Sequence, residues 1–328
     1  MRVVTNFKVL ALVLLAVFCV AAPSRTQDTT VLAPVYELRT DPHPLSRVAF
    51  IGASVSAGFG NARELKVGRS VKLGGFFEQM LLEEGISSEV YDFGSNQFFL
   101  DPLDTGKQQI EKASAINPTL IVGIDYLFWY AFGYPRMGNP RRTEGLRMGL
   151  KRLDSIDCHL IVGDLPNVDH ALTGSSPLRG GHPILRKGQI PGEQERIEMN
   201  KLIHEWASKK PNVEIFPLDK LMKQMVAGDE MELQGNTWKV EKLDHVLQSD
   251  LLHPKVRGSV WVAMHVAQAS VQLPGVESAD FNWDEAKIRE RIWSSLEGAR
   301  DKQAKLDARR KARRAKLDRK KAEVTKGL

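Results

Sequence analysis

Five short apolar runs, set at wide intervals along the chain, limit the fold more than any other feature. They are "RVAFIGA" (47–53), "SEVYDFG" (88–94), "TLIVGID" (119–125), "CHLIVGD" (158–164) and "VEIFPLD" (213–219). Each is bounded by polar or turn residues and none alternates apolar with polar, the pattern of a strand covered on both faces. Helix-like stretches at 70–85, 105–116, 141–155 and 192–209 fill the gaps. This alternation predicts an α/β fold, a parallel sheet with helices on both faces and right-handed crossovers. A Gly-Asn turn inside "MELQGNTWKV" (231–240) predicts a small added hairpin. Beyond Asp284 one long helix is expected, with Ile288, Ile292 and Leu296 as its apolar stripe; the stripe fades after Gly298.

The ends of the chain differ from its body. Arg2 and Lys8 lead into an apolar run from Val9 to Ala22, shorter than the roughly 20 residues of a membrane span and ending in small residues. Residues 1–22 therefore read as a secretory signal peptide cleaved near Ala21 or Ala22, with an uncleaved membrane anchor as the alternative. Residues 23–45 are a polar, Pro-containing linker, 46–275 the main domain, and 276–328 a C-terminal helix with a basic tail. Cleavage would remove Cys19 and leave Cys158 alone, so no internal disulfide can form. Export without disulfides points to a bacterial periplasm or cell surface. Cys158 itself reads as a buried strand residue. The formal charge of +6 hides an asymmetry. Residues 300–328 carry 13 Lys or Arg against 4 Asp or Glu, whereas 23–299 carry 31 against 36. Basicity is confined to a tail that suits an anionic envelope polymer or lipid surface, and export argues against a nucleic-acid partner.

Ser54 stands in "FIGASVSAGFG" (50–60), just past the first run, among residues too small to cover it and ahead of an expected helix. A dinucleotide fingerprint fails there, because glycines required after Gly52 fall on Ser54 and Ala57; no Gly-Lys-Ser/Thr follows for a P-loop either. A nucleophile needs a histidine to take its proton and a carboxylate to orient that histidine. His43, His159, His204 and His265 sit where lead-in, strand or helix packing explains them. In "SDLLHPKVRGSVWVA", Asp250 precedes His253 by three residues, and Pro254 closes the turn before a helix from about Arg257. One short turn can present both side chains the same way. The stretch 164–192, with His170, Arg179, His182 and Arg186, is long enough to be functional and should rise from the carboxyl edge of the sheet, where such folds bind ligands.

Taken in order, "FIGASVSAG", "DFGSN" (92–96), "VGID" (122–125) and "DLLHP" (250–254) resemble the spaced blocks of SGNH (GDSL-type) hydrolases, across roughly residues 46–272. The resemblance implies a three-layer α/β/α sandwich with a five-stranded parallel sheet, flavodoxin-like, and ester hydrolysis with no metal or cofactor. It implies Ser54 as nucleophile, His253 as base and Asp250 as its orienting acid, with the N–H groups of Ser54 and Gly94 in the oxyanion hole. Two positions depart from the family pattern. Ala53 stands where the first block has aspartate, and Asp125 where the third block has the asparagine that completes the oxyanion hole. An ionised Asp125 would repel an oxyanion. Three outcomes fit: Asp125 is protonated there, Asn96 substitutes for it, or the protein is a slow or purely binding member. The reading as a whole is an exported serine esterase, acting on an acyl group such as O-acetyl on an envelope or extracellular glycan. Its alternative is a catalytically weak module of the same fold that binds envelope glycans. Phe128, Trp129, Tyr130, Phe132 and Tyr134 offer a sugar platform, half or more of them being expected in the core.

Overall fold

A computed structural model describes residues 43–82, 87–133 and 139–326. The sheet is built from β1 (Arg47–Phe50), β2 (Glu89–Asp92), β3 (Leu120–Gly123), β4 (His159–Gly163) and β5 (Val213–Phe216). All four pairings are parallel, in the order β2-β1-β3-β4-β5. This is the flavodoxin-like order, with its switch point between β1 and β3. All five strands fall inside the apolar runs read from the sequence. Central β3 and β4 are buried at every residue, whereas edge strands β2 and β5 are partly open.

The helices are α1 (Asn61–Glu64), α2 (Leu73–Glu78), α3 (Pro102–Ser114), α4 (Phe128–Ala131), α5 (Asn139–Leu153), α6 (Glu193–Ala207), α7 (Leu218–Ala227), α8 (Val256–Ser270), α9 (Glu285–Ser295) and α10 (Glu297–Lys326). One apolar core lies between the sheet and a layer holding α2, α7, α8 and α9; another lies between the sheet and α3, α4, α5 and α6. That is the expected α/β/α sandwich. Helix α8 belongs in its middle: residues 256–270 are almost all apolar or small, and 13 of the 15 are buried. The hairpin forms as β6 (Glu230–Leu233) and β7 (Asn236–Lys239), turning through Gln234 and Gly235, both at positive φ.

Several boundaries differ from the sequence reading. The helix expected over 70–85 is helical only at Leu73–Glu78, and the hairpin turns at Gln234–Gly235, not at the expected Gly-Asn, because Asn236 is already paired with Leu233. The last run, 213–219, is strand only to Phe216; Pro217 caps α7, which the sequence reading had not separated. The single helix expected beyond Asp284 is two, broken at Leu296. The end of the supposed linker is packed: Leu45 is buried, and the His43 ring bonds the Gly275 carbonyl at 2.6 Å. Residues 1–42, including the expected signal peptide, lie outside the described residues. Among the described residues no helix is long and apolar enough to cross a membrane.

Candidate active site

The chain leaves β1 through Gly52, whose φ of +139° and closeness to Asp125 admit no side chain; a Cβ there would lie 2.1 Å from Asp125 Oδ1. Gln109 on α3 clamps this glycine from the other side. Its Nε2–H donates to the Gly52 carbonyl at 2.9 Å and its Oε1 accepts the Gly52 N–H at 2.8 Å. Residues 53–60 then form successive turns in place of the expected helix, tied by Ala57 N–H to Ala53 O and Phe59 N–H to Ser54 O, both 2.9 Å. Ser54 stands half-buried at the start of these turns.

His253 reaches it from 199 residues away. Ser54 Oγ lies 2.9 Å from His253 Nε2, and His253 Nδ1 lies 2.9 Å from Asp250 Oδ2. The other Asp250 oxygen accepts the backbone N–H groups of Leu252 and His253, both at 3.0 Å. Leu251, at φ 54°, takes up the left-handed turn that lets one carboxylate serve both purposes. Burial pushes the Asp250 carboxyl up, but the hydrogen bonds and charge of His253 outweigh it and hold the group below its ordinary value. It therefore stays ionised and acceptor-only, so that Nδ1 keeps its proton and Nε2 is the acceptor facing Ser54. Phe59 packs on the imidazole at 4.2 Å between ring centres. Gly174 presses on the Asp250 carbonyl, where a Cβ would come within 2.2 Å, so the long 164–192 connection braces the acid–base turn.

Asp125 is not where the family pattern puts an oxyanion donor. Its carboxylate is folded under the Ser54 turn, accepting from Ala53 N–H (3.0 Å) and Ser56 Oγ (2.5 Å) on Oδ1, and from Val55 N–H (2.8 Å) and Ser56 N–H (3.2 Å) on Oδ2. Burial raises its pKa against the pull of these donors. The assignment of Asp125 to the oxyanion hole is thereby corrected: both its oxygens are occupied as acceptors. Of the four consecutive N–H groups at 53–56, three go to Asp125. Among the described residues the N–H groups of Ser54 and Gly94 and the Asn96 side chain make no hydrogen bond. Gly94 packs directly on the Ser56–Ala57 peptide, where a Cβ would meet it at 2.9–3.0 Å, and Asn96 shares a cleft with Ser54 and His253.

That cleft, about 450 Å³, is walled by Trp129 and Phe99 on one side and by the 164–192 connection on the other, which contributes Arg179 and Arg186 but not His170 or His182. Of the five aromatics read as a platform, Phe128, Tyr130 and Phe132 are buried in the core, Trp129 is half-buried at the cleft, and Tyr134 lies outside the described residues. His159 and His265 are buried packing residues and Cys158 is buried, as expected. Sequence reasoning missed Gln109, Ser56 and α7. Only α7 left a signal, in the helical spacing of Leu218, Leu221, Met222 and Met225. Among the described residues no cluster of three or more His, Cys, Asp or Glu could hold a metal ion.

No protein-family model matches the sequence, and no curated protein does. Among solved structures the chain is similar to TesA, at 13% identity over 69% of this chain and 98% of that one, with a TM-score of 0.42. It is also similar to a GDSL-like lipase from Bacteroides thetaiotaomicron (13%, 70% and 89%, TM-score 0.36) and to Axe2, an acetylxylan esterase from Geobacillus stearothermophilus (13%, 71% and 97%, TM-score 0.41). Likeness at this level assigns no chemistry; the site's own geometry has to do so.

Proposed function

We propose that this chain is a serine ester hydrolase of the SGNH type. The observation that carries the reading is the unbroken relay from Ser54 Oγ to His253 Nε2 and from Nδ1 to Asp250, assembled from segments 199 residues apart. Ser54 Oγ attacks the ester carbonyl while His253 takes its proton, and ionised Asp250 stabilises the imidazolium. The tetrahedral oxyanion is met by the unpartnered N–H groups of Ser54 and Gly94 and by the Asn96 amide, the substitute donor that the sequence left open. The carbon–oxygen bond to the alcohol breaks as His253 returns the proton to it. Water then repeats the sequence to release the acid. With Asp125 folded under the Ser54 turn, its charge does not face the oxyanion. It supplies no donor there either, so the hydrolase reading rests on the Ser54 and Gly94 N–H groups and Asn96, and the weak binding module stays the alternative.

The open cleft on the His253 side suits the alcohol half. Trp129 offers a face for a sugar ring, and Arg179 and Arg186 form no ion pair among the described residues, which suits a hydroxyl-rich or anionic glycan. Residues 1–22 support export, and the basic tail supports attachment to an anionic envelope surface. Labelling with a fluorophosphonate probe tests the core of the reading. The wild-type protein should react stoichiometrically at Ser54 and Ser54→Ala not at all; an unlabelled wild type would refute it.

A further inference from the structure

Two cavities meet at Ser54, and only one of them is the open cleft. The second, about 70 Å³, runs inward from Ser54 and Leu252 between the carboxyl ends of β3 to β5 and helices α7 and α8. Its walls are Phe128, Leu218, Met222, Met225, Trp261 and Val262 among other apolar groups; the only acidic side chain on it, Asp125, has both oxygens engaged by the Ser54 turn. His253 lines the open cleft and not this cavity.

Three groups leave the tetrahedral carbon besides Ser54 Oγ. The oxyanion faces the free N–H groups, and the leaving oxygen must lie beside His253 Nε2 to receive its proton, which puts the alcohol in the open cleft. The remaining group is the acyl chain, and the apolar cavity touches Ser54 without touching His253. We infer that this cavity is an acyl-chain pocket and that the preferred substrates carry an aliphatic acyl group longer than acetyl. This deepens the serine-hydrolase reading and rests on it. A cavity of about 70 Å³ is roughly half of one that holds benzene, so it takes about two to three methylene-sized groups, which corresponds to an acyl chain of about three to four carbons. An acetyl group would leave about half of it empty, and an apolar cavity gives water nothing to bind. Met222 and Met225, flexible and unbranched, fit the wall to such a chain. The chemistry is unchanged: the acyl carbon bonds Ser54 Oγ, the alcohol leaves with the proton, and water releases the fatty acid.

The test uses the whole protein and p-nitrophenyl esters from acetate to decanoate, with active sites counted by a fluorophosphonate. kcat/KM should rise about fourfold per methylene from acetate to roughly butyrate and then fall. Met222→Trp, which fills the cavity, should lower the butyrate-to-acetate ratio about tenfold, and Met225→Ala should move the optimum to longer chains. Ratios are read per active site, so loss of folded protein does not alter them. An acetate optimum, or ratios that neither variant moves while Ser54 still labels, overturns the pocket. Absence of both labelling and turnover overturns the hydrolase reading with it.

Discussion

Replacing Asp125 by asparagine changes one atom and should injure the site. The carboxyl has four donors on its two oxygens: Ala53 N–H and Ser56 Oγ on Oδ1, Val55 N–H and Ser56 N–H on Oδ2. An asparagine has one oxygen to offer. Its best placement keeps that oxygen at the Oδ2 position for Val55 and Ser56. The amide nitrogen then donates to Ser56 Oγ, whose own proton turns to the Ile51 carbonyl 3.1 Å away. Only Ala53 N–H is left facing an NH₂ group. A buried donor without a partner costs about 1–3 kcal/mol. The expected total is therefore about 2 kcal/mol.

For a domain of this size that is a fall in Tm of about 5 °C. Turnover should fall further, because Ala53 immediately precedes Ser54 and a small displacement of the nucleophile can cost about 10²-fold. The expected split is kcat down roughly 10- to 100-fold with KM little changed, measured on one soluble ester. pH supplies a second reading. Burial raises the Asp125 pKa in the folded state. A raised carboxyl contributes stability that is complete below the unfolded value of about 3.9 and is lost as pH rises through the folded one. The Tm gap between wild type and Asp125→Asn should therefore be widest in acid and narrow toward alkaline pH. An unchanged Tm with equal or higher turnover would mean that the carboxylate does not hold the Ser54 turn.

Ser54→Ala and His253→Ala should each abolish nearly all esterase activity, and the double variant should lose little more, since the pair acts as a unit; additive losses would point to another nucleophile. Burial lowers the His265 pKa to about 4 and its Nε2 has no hydrogen-bond partner. The stability it contributes is complete above the unfolded value of about 6.5 and lost as pH falls toward 4, about 3 kcal/mol in all. His265→Leu should remove that part of the acid sensitivity in a Tm–pH series. Deleting residues 300–328 should abolish salt-sensitive co-sedimentation with anionic phospholipid vesicles while sparing turnover of a soluble ester, because most described side chains of α10 are exposed, only Arg300 and Gln303 being half-buried, and α10 carries no share of the cleft.

The sheet was legible because burial on both faces writes itself into composition: "TLIVGID" and "CHLIVGD" admit few other readings, and β3 and β4 are buried throughout. The Asp250–His253 hydrogen bond was legible because the two residues are joined by one local turn, so spacing carries geometry. Asp125 was not. Position in the sequence does not say which way a side chain turns, and the direction is decided by four donors on a loop some 70 residues earlier. Gln109 was hidden for the same reason. Nothing separates it from its neighbour Gln108 in sequence, yet one clamps Gly52 and the other pairs with Asp104. Helix α7 was lost because "FPLD" extends an apolar run through a proline that in fact starts the helix.

The two positions at which the sequence departs from the pattern it resembles form one arrangement. Ala53, at 1% exposure, lines the apolar cavity and donates its N–H to Asp125. An aspartate at 53 would set a second carboxylate beside the first, in a space with no cation to balance it, and burying an unpaired charge there is costly. The small residue at 53 and the acid at 125 therefore depend on each other. Ala53→Asp alone should destabilise strongly, since two acids would share one apolar site. Adding Asp125→Asn removes one of the charges and gives the new acid an amide donor. The double variant should then be more stable than the sum of the single losses predicts, by an interaction of at least about 0.5 kcal/mol in a denaturation cycle. Additive losses would mean that the two positions do not sense each other, and that the acid at 125 tolerates either neighbour.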